Sequence, residues 1–301
     1  MSIHPADNGE TSILVAIRMT CSLLKLRIAV AIAGCALAGM AAAEGPANSV
    51  AQASALALAV LGASGAAGAF NHYYERDLDR EMRRTRSRPF ASGAFQPSLW
   101  WPISFLALLV ASLALAAAAN GLVSSLFVFL GSFTYGVVYT VWLKRRSAWN
   151  IVIGGLAGSF AVLAGAAAVD PTPQVVPVLL ALVLFLWTPP HFWSLAAAKG
   201  DDYARAGVPM LPVTASQRVW TWAILLHTAA LVAISLVPLW YGQGLLYGLG
   251  AGVGGAYFLW KSWLLYIAPS KHTAMDNFFA SLLQLGLLIV GVVLDALVGL
   301  A

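Results

Sequence analysis

The chain has 301 residues with 17 Lys and Arg against 12 Asp and Glu, a net charge of +5, and is 60% hydrophobic with 10% charged residues. Soluble domains are about 45–50% apolar, so this composition, with a mean hydropathy of +0.81, excludes an ordinary soluble protein and predicts an all-α polytopic membrane protein. A basic balance can signal nucleic-acid binding, but the cations here cluster at the ends of apolar runs, so no nucleic-acid partner is expected and the lipid bilayer is.

A helix needs about 20 mostly apolar residues to span hydrocarbon. Stretches that qualify run roughly over 27–46, 50–70, 99–119, 122–142, 150–169, 175–197, 217–238, 244–266 and 277–299, predicting a nine-helix bundle. Residues 1–26 read as a cytoplasmic N-terminal segment, with a polar tail over 1–17 leading into a short amphipathic stretch from Ile13 to Leu24. Residues 27–301 read as a single transmembrane domain with cytoplasmic loops near 76–98 and 198–216. Met1 to Glu10 holds no Lys or Arg, and Arg18, Lys25 and Arg27 interrupt the apolar run after it, so no cleavable signal is expected. Cys21 and Cys35 read as small packing residues without a disulfide.

In this nine-helix arrangement all 17 basic residues fall on one side. Arg18, Lys25 and Arg27 precede the first span, Arg76 to Arg88 follow the second, Lys144 to Arg146 follow the fourth, and Lys199, Arg205 and Arg218 follow the sixth. Lys261 and Lys271 flank the end of the eighth. The connections near Glu44, Asn120, Asp170 and Gln243 have none. The positive-inside rule makes the basic side cytoplasmic, with the N-terminus inside and the C-terminus outside.

Helices one and two are dense in Ala and Gly, which lets backbones approach closely where lipid provides no hydrophobic drive for association. The second runs into Asn71 to Pro89, where 19 residues hold four carboxylates and six arginines. If the helix continues, Asn71, Glu75 and Asp79 recur at steps of four and share one face. Two carboxylates and an amide suit Mg2+, which takes one or two carboxylates and often shares substrate phosphates. Asp77 on the opposite side is a second candidate. A solvated, salt-bridged helix end is the alternative. Arg88-Pro89 should end or bend the helix, and the long loop to about residue 98 could be a lid or binding segment.

The fourth span ends in Tyr139-Thr140-Val141-Trp142-Leu143-Lys144-Arg145-Arg146, where cations also fit the helix dipole and the orientation. Asn150 opens the fifth as an N-cap or a cavity-facing group. The sixth carries Thr188-Pro189-Pro190-His191-Phe192-Trp193, whose prolines should free carbonyls and bend the helix. Lys199, Asp201, Asp202 and Tyr203 come next, a second acidic cluster on the same side of the membrane as the first. A transferred diphosphate held through Mg2+ would use carboxylates from both clusters and the basic residues around them. Farther on, His227 and Gln284 read as satisfied packing residues, Asp276 and Asn277 as caps opening the ninth span, and Asp295 as a residue reaching the outer interface.

Asn71-x3-Glu75-x3-Asp79 followed by Met82-x-Arg84-Thr85-x2-Arg88-Pro89 resembles the first aspartate-rich motif of the UbiA superfamily of intramembrane prenyltransferases. Tyr139-Thr140 with Lys144-Arg145-Arg146, the run from Asn150, and above all Thr188 to Trp193 with Asp201-Asp202-Tyr203 and Gly207 to Pro212 are similar to its haem-farnesylating branch. The resemblance spans nearly the whole chain from the first to the ninth span. It implies a nine-helix bundle with a cytoplasm-facing site that joins the farnesyl group of farnesyl diphosphate to a vinyl group of haem b, which is a substrate and not a cofactor.

By motif match, Asn71, Glu75 and Asp79 would hold Mg2+ on the diphosphate with help from Asp201 and Asp202, while Arg84, Arg88, Lys144 and Lys199 balance its charge. Tyr139, Trp142, Phe192 and Trp193 are candidates to stabilise an allylic cation. Asn150 and Tyr203 are candidate substrate contacts, and His191 is a candidate for haem-iron contact or proton handling. Glu75 stands where the superfamily usually has Asp, and the second motif lacks the plain Asp-x3-Asp spacing. A haem-modifying enzyme acting downstream is a conceivable partner. Two rival readings are a superfamily member with an aromatic quinone-precursor acceptor and a membrane transporter. Transporters usually place ionisable groups near the membrane midplane, whereas these gather at one end.

Overall fold

The computed structural model describes residues 12–46 and 48–299, so the first eleven residues of the polar tail predicted over 1–17 lie outside the described residues, while residues 12–17 open the first helix. The chain folds as helices α1 (Ser12–Leu23), α2 (Leu26–Ala41), α3 (Val50–Tyr74), α4 (Arg76–Glu81), α5 (Trp100–Asn120) and α6 (Leu122–Phe133), with a π-helical continuation of α6 over Thr134–Leu143. Then come α7 (Asn150–Gly154), α8 (Leu156–Ala167), α9 (Val175–Ala198), α10 (Gly200–Arg205), α11 (Leu211–Thr214) and α12 (Gln217–Leu236), extended by a 3-10 turn over Val237–Tyr241. Helices α13 (Leu245–Ile267) and α14 (Lys271–Val298) complete the bundle.

No β-strand occurs among the described residues, as expected where every backbone polar group must be satisfied within its own segment. Among them, seven helices are long and apolar enough to cross a membrane, and α1 with α2, bent by 53° between them, would make an eighth. The expected eighth span, α13, is a 23-residue helix that does not meet that measure of hydropathy; its glycines and Lys261 dilute its apolar character. Length and composition therefore give seven or eight spans where nine were expected.

Small residues set the helix spacing. A Cβ at Gly165 would lie 1.8 Å from the Ala36 carbonyl oxygen, and one at Gly39 would lie 2.0 Å from that of Val162. Helices α2 and α8 can touch only because both positions lack a side chain. The core built around this contact is apolar and rich in alanine.

Helix α9 stays helical through Pro189 and Pro190. Other local expectations change. Helix α14 begins at Lys271, six residues early, because the Ser270 side chain accepts from the Thr273 amide and closes a capping box. Asp276 and Asn277 are therefore interior: Asp276 pairs with Lys261 at 2.8 Å, and Asn277 donates to Ser194 and accepts from Ser262. Asp295, expected at the interface, is fully buried and accepts from the Leu246 and Tyr247 amides at 3.0 and 2.9 Å, capping α13 where the helix dipole favours an anion. Gln284, expected to be satisfied, is buried with neither amide atom paired.

Candidate active site

Three polar side chains occupy one stripe at the charged end of the bundle. Asn71, Glu75 and Asp79 are each 1% exposed. Helix α3 closes at Tyr74 and α4 opens at Arg76, yet the Glu75 amide donates to the Asn71 carbonyl at 2.9 Å and that of Asp79 to the Glu75 carbonyl at 2.8 Å. The i−4 ladder runs through the break, so the step of four stacks the three groups. Asp77, the second candidate, is solvated and pairs with Arg80. The solvated-end reading therefore fits Asp77 and fails for the other three.

A different segment sends a cation to each member of the stripe. Lys25 Nζ donates to Asn71 Oδ1 at 2.6 Å, Lys144 Nζ lies 2.5 Å from Glu75 Oε2, and Arg88 Nη1 contacts both Asp79 oxygens at 2.9 and 2.8 Å. The loop carrying Arg88 is pinned by fully buried Phe90, which packs edge-on against Tyr73, Phe95 and Trp101. The expected helix end at Arg88-Pro89 falls earlier, at Glu81, where Thr85 Oγ1 donates to the Asp79 carbonyl at 3.0 Å.

Lys25 reaches the site at a local conformational cost. Its φ of +48° and ψ of +45° place it in the left-handed region, at a cost of about 1–2 kcal/mol for a side-chain-bearing residue, and among the described non-glycine residues it is the one with positive φ. This kink separates α1 from α2 and lets the ammonium reach Tyr135 Oη at 2.6 Å as well as Asn71.

The π-helical stretch supplies the opposite wall. Its ladder joins residues five apart, as where the Lys144 amide donates to the Tyr139 carbonyl at 2.9 Å; beside the ladder the Thr140 hydroxyl donates to the Tyr135 carbonyl at 2.8 Å. That spacing turns Tyr135, Thr140 and Lys144 toward α3, where Asn71 Nδ2 donates to Thr140 Oγ1 at 3.0 Å. Tyr135 and Tyr139 stack at 5.8 Å, Lys144 Nζ lies 5.7 Å from the Tyr139 ring centre, and Gly154 leaves room for that ring. Asn150 is not an N-cap; Trp149 holds that position. The fully buried Asn150 amide instead donates to the Ser147 and Lys144 carbonyls, which fixes the turn carrying Lys144.

The second acidic cluster lies on α10. Asp201 pairs with Lys271 at 2.8 Å, and that ammonium holds its carboxyl below the usual carboxylate range; Asp202 pairs with Arg205. Both line a cavity of about 610 Å³ with Arg83, Arg84, Lys199, Arg205 and Lys271. Tyr203 is buried, which pushes its phenol up while Arg84 beside it acts the other way. Glu75 and Asp79 are not among the residues bounding this cavity. Among the described residues no three His, Cys, Asp or Glu side chains form a ready-made metal centre; each inner carboxylate faces a cation.

His191 and Trp193 lie farther along α9. The His191 ring stacks between Trp187 at 4.2 Å and Phe278 at 4.5 Å. Its Nδ1 is 2.7 Å from Ser281 Oγ, whose single hydrogen goes to the Phe278 carbonyl at 2.6 Å. Nδ1 must therefore donate, which leaves the lone pair on Nε2. Trp193 is buried and edge-on to His227 at 5.2 Å. Lys25, Tyr135 and Thr140 escape the sequence reading as site residues. Lys25 looks like a helix-flanking cation, and no local pattern announces a π-helix.

An all-helical membrane bundle with buried carboxylates, converging cations and a basic vestibule at one end defines an integral-membrane protein with an enzyme's site. Residues 32–283 match the UbiA prenyltransferase family. The chain is 57% identical over 282 residues, covering 93% of it and 98% of the other protein, to protoheme IX farnesyltransferase 2 of Paramagnetospirillum magneticum strain ATCC 700264 / AMB-1. Among solved structures it resembles the apo UbiA homologue from Aeropyrum pernix K1, with TM-score 0.71 and 21% identity over 90% of this chain and 98% of that one. It also resembles the Archaeoglobus fulgidus UbiA homologue bound to GPP and Mg2+, with TM-score 0.62 and 16% identity over 91% and 99%. The chain belongs to the UbiA prenyltransferase family of membrane enzymes.

Proposed function

We propose that the protein transfers the farnesyl group of farnesyl diphosphate to a vinyl group of haem b, giving haem o for a terminal oxidase. The observation that carries the diphosphate half is the buried stripe of Asn71, Glu75 and Asp79 faced by Lys25, Lys144 and Arg88. The acceptor half is supported by the relative named protoheme IX farnesyltransferase 2, matched along nearly its whole length. The basic side of the bundle, with the N-terminus and this site, faces the cytoplasm of a bacterial inner membrane, where a haem-modifying enzyme would receive the product.

The site residues fit a divalent cation. Glu75 Oε1 and Asn150 Oδ1 are buried with no partner, and buried polar atoms left unpaired in this way call for a ligand. Asn71, Glu75 and Asp79, with Asp201 and Asp202 at the rim, would hold Mg2+, which when bound supplies Lewis-acid stabilisation of the leaving diphosphate. Lys144, Lys25 and Arg88 turn their donors to the diphosphate oxygens, while Arg84 and Lys199 draw the anion into the vestibule. The allylic C–O bond breaks with its electron pair going to the diphosphate, and the vinyl π pair forms the new C–C bond. The cation left on the haem side chain takes hydroxide from water, releasing a proton and leaving a hydroxyethylfarnesyl group. Stacked Tyr135 and Tyr139 present ring faces to the developing positive charge and keep bulk water away. His191 Nε2, with a free lone pair, is the candidate haem-iron contact.

The test is to incubate membranes containing the protein with farnesyl diphosphate and haem b and follow pigments by chromatography and mass spectrometry. Haem o formation is expected. Its absence, with prenylation of an aromatic quinone precursor instead, would overturn the acceptor.

A further inference from the structure

His72 is an unassigned position inside the first motif, yet it flanks the stripe. It precedes Glu75 by three and Asp79 by seven positions, the spacings that share a helix face, and it is 3% exposed. Neither ring nitrogen has a hydrogen-bond partner. The other described histidines of the helix interiors differ: His191 Nδ1 bonds Ser281 Oγ, and His227 Nδ1 bonds the Ala223 carbonyl. A buried imidazole ordinarily satisfies at least one nitrogen. The charges that bear on the ring are Lys25, Arg88 and Lys144, the same three cations that hold the stripe. An unpaired ring in the field of three cations that hold the neighbouring stripe suits an anion better than a further metal ion.

We propose that His72 binds the substrate's diphosphate directly, donating a ring N–H to one of its oxygens beside Lys25, Arg88 and Lys144. The imidazole carries an N–H in either protonation form, so the contact needs no change of charge. This rests on the reading of the stripe as a diphosphate site and adds to it an anion contact from the same helix.

The probe is inorganic pyrophosphate, titrated calorimetrically into the full-length protein in nanodiscs with and without Mg2+, alongside binding of Mn2+ alone followed by electron paramagnetic resonance. His72→Phe should weaken pyrophosphate about tenfold, the scale of one charge-assisted hydrogen bond, and leave Mn2+ affinity unchanged. His72→Asn and His72→Gln place an amide near Nδ1 and Nε2 respectively, and one of them should restore most of the affinity, identifying the donor. In the wild type, pyrophosphate should shift the 15N resonance of one histidine ring that is missing from the spectrum of the folded variants, a readout that survives if His72→Phe fails to fold. Unchanged pyrophosphate affinity in His72→Phe, or no histidine shift in a wild type that binds pyrophosphate, would overturn the proposal alone. Lost Mn2+ binding would make His72 a metal ligand and overturn it too. A wild type that binds no pyrophosphate at all would instead bring down the diphosphate reading of the whole stripe.

Discussion

Glu75 and Asp79 are carboxylates at 1% exposure, neutralised by Lys144 from a distant segment and by Arg88 from the following loop. Asp79→Ala is expected to abolish prenyl transfer while the protein still folds and inserts; full activity in that variant would sink the assignment of the stripe to the reaction. Removing one member of a buried pair leaves its partner charged and unpaired, at a cost of roughly 3–5 kcal/mol. Glu75→Ala and Lys144→Ala should therefore each lower unfolding stability by about 3 kcal/mol, the lower end of that range because Lys144 keeps 11% of its side chain exposed. The double variant should lose clearly less than the sum, as measured by denaturant titration in detergent; simple additivity would show that the pair is uncoupled. At this scale the sequence was most readable for the acidic side, because a step of four in a helix marks a face. It was silent about Lys25 and His72. One looks like any juxtamembrane cation, and the other like a helix residue with nothing to say.

At the scale of elements, the π-helical segment decides what the fourth span can do. A plain α-helix joins residues four apart and would pair Lys144 with Thr140, whereas the wider turn pairs Tyr139 with Lys144 and still leaves Tyr135 stacked on Tyr139. Deleting Val138 should restore the i−4 ladder and rotate Lys144 by about 100° away from Glu75. The expected outcome is a folded, inserted protein with prenyl transfer reduced by at least a hundredfold, read by haem o formation and by thermal unfolding; a deletion variant of near-normal activity would deny the π geometry its role. The break between α3 and α4 was equally invisible in sequence, since nothing at Tyr74 or Glu75 resembles a stop signal, and it matters little because the backbone ladder crosses it. The same limit applies to α14: its early start came from Ser270 and Thr273, a short capping pair outside the apolar run that hydropathy reads.

For the whole molecule, hydropathy located the spanning runs closely, and 17 cations on one side suggested an orientation that the helix count leaves to experiment. Nine crossings put the termini on opposite sides, whereas eight put them together. An alkaline phosphatase fusion at the C-terminus is expected to be active, and a green fluorescent protein fusion there dark, if the N-terminus is cytoplasmic and α13 crosses with the rest. The reverse pattern would remove one crossing. The small-residue contact between α2 and α8 draws the first and fifth spans together, so the α1–α2 kink with Lys25, the α3 stripe and the π-helical wall can meet at one end.

The sequence by itself determined the class of molecule, the approximate spans, the two acidic blocks and their common side, because apolar run length, charge position and helical spacing are written locally along the chain. Only the tertiary structure decided which cation meets which ligand and which carboxylates stay inside. Lys25 and Asn71 are 46 positions apart, Glu75 and Lys144 are 69, and Lys25 and Tyr135 are 110. Pairings over such distances depend on how the helices pack and on two unusual backbone turns. The packing contact rests on absent side chains and the turns on irregular geometry, neither of which carries a periodic signal.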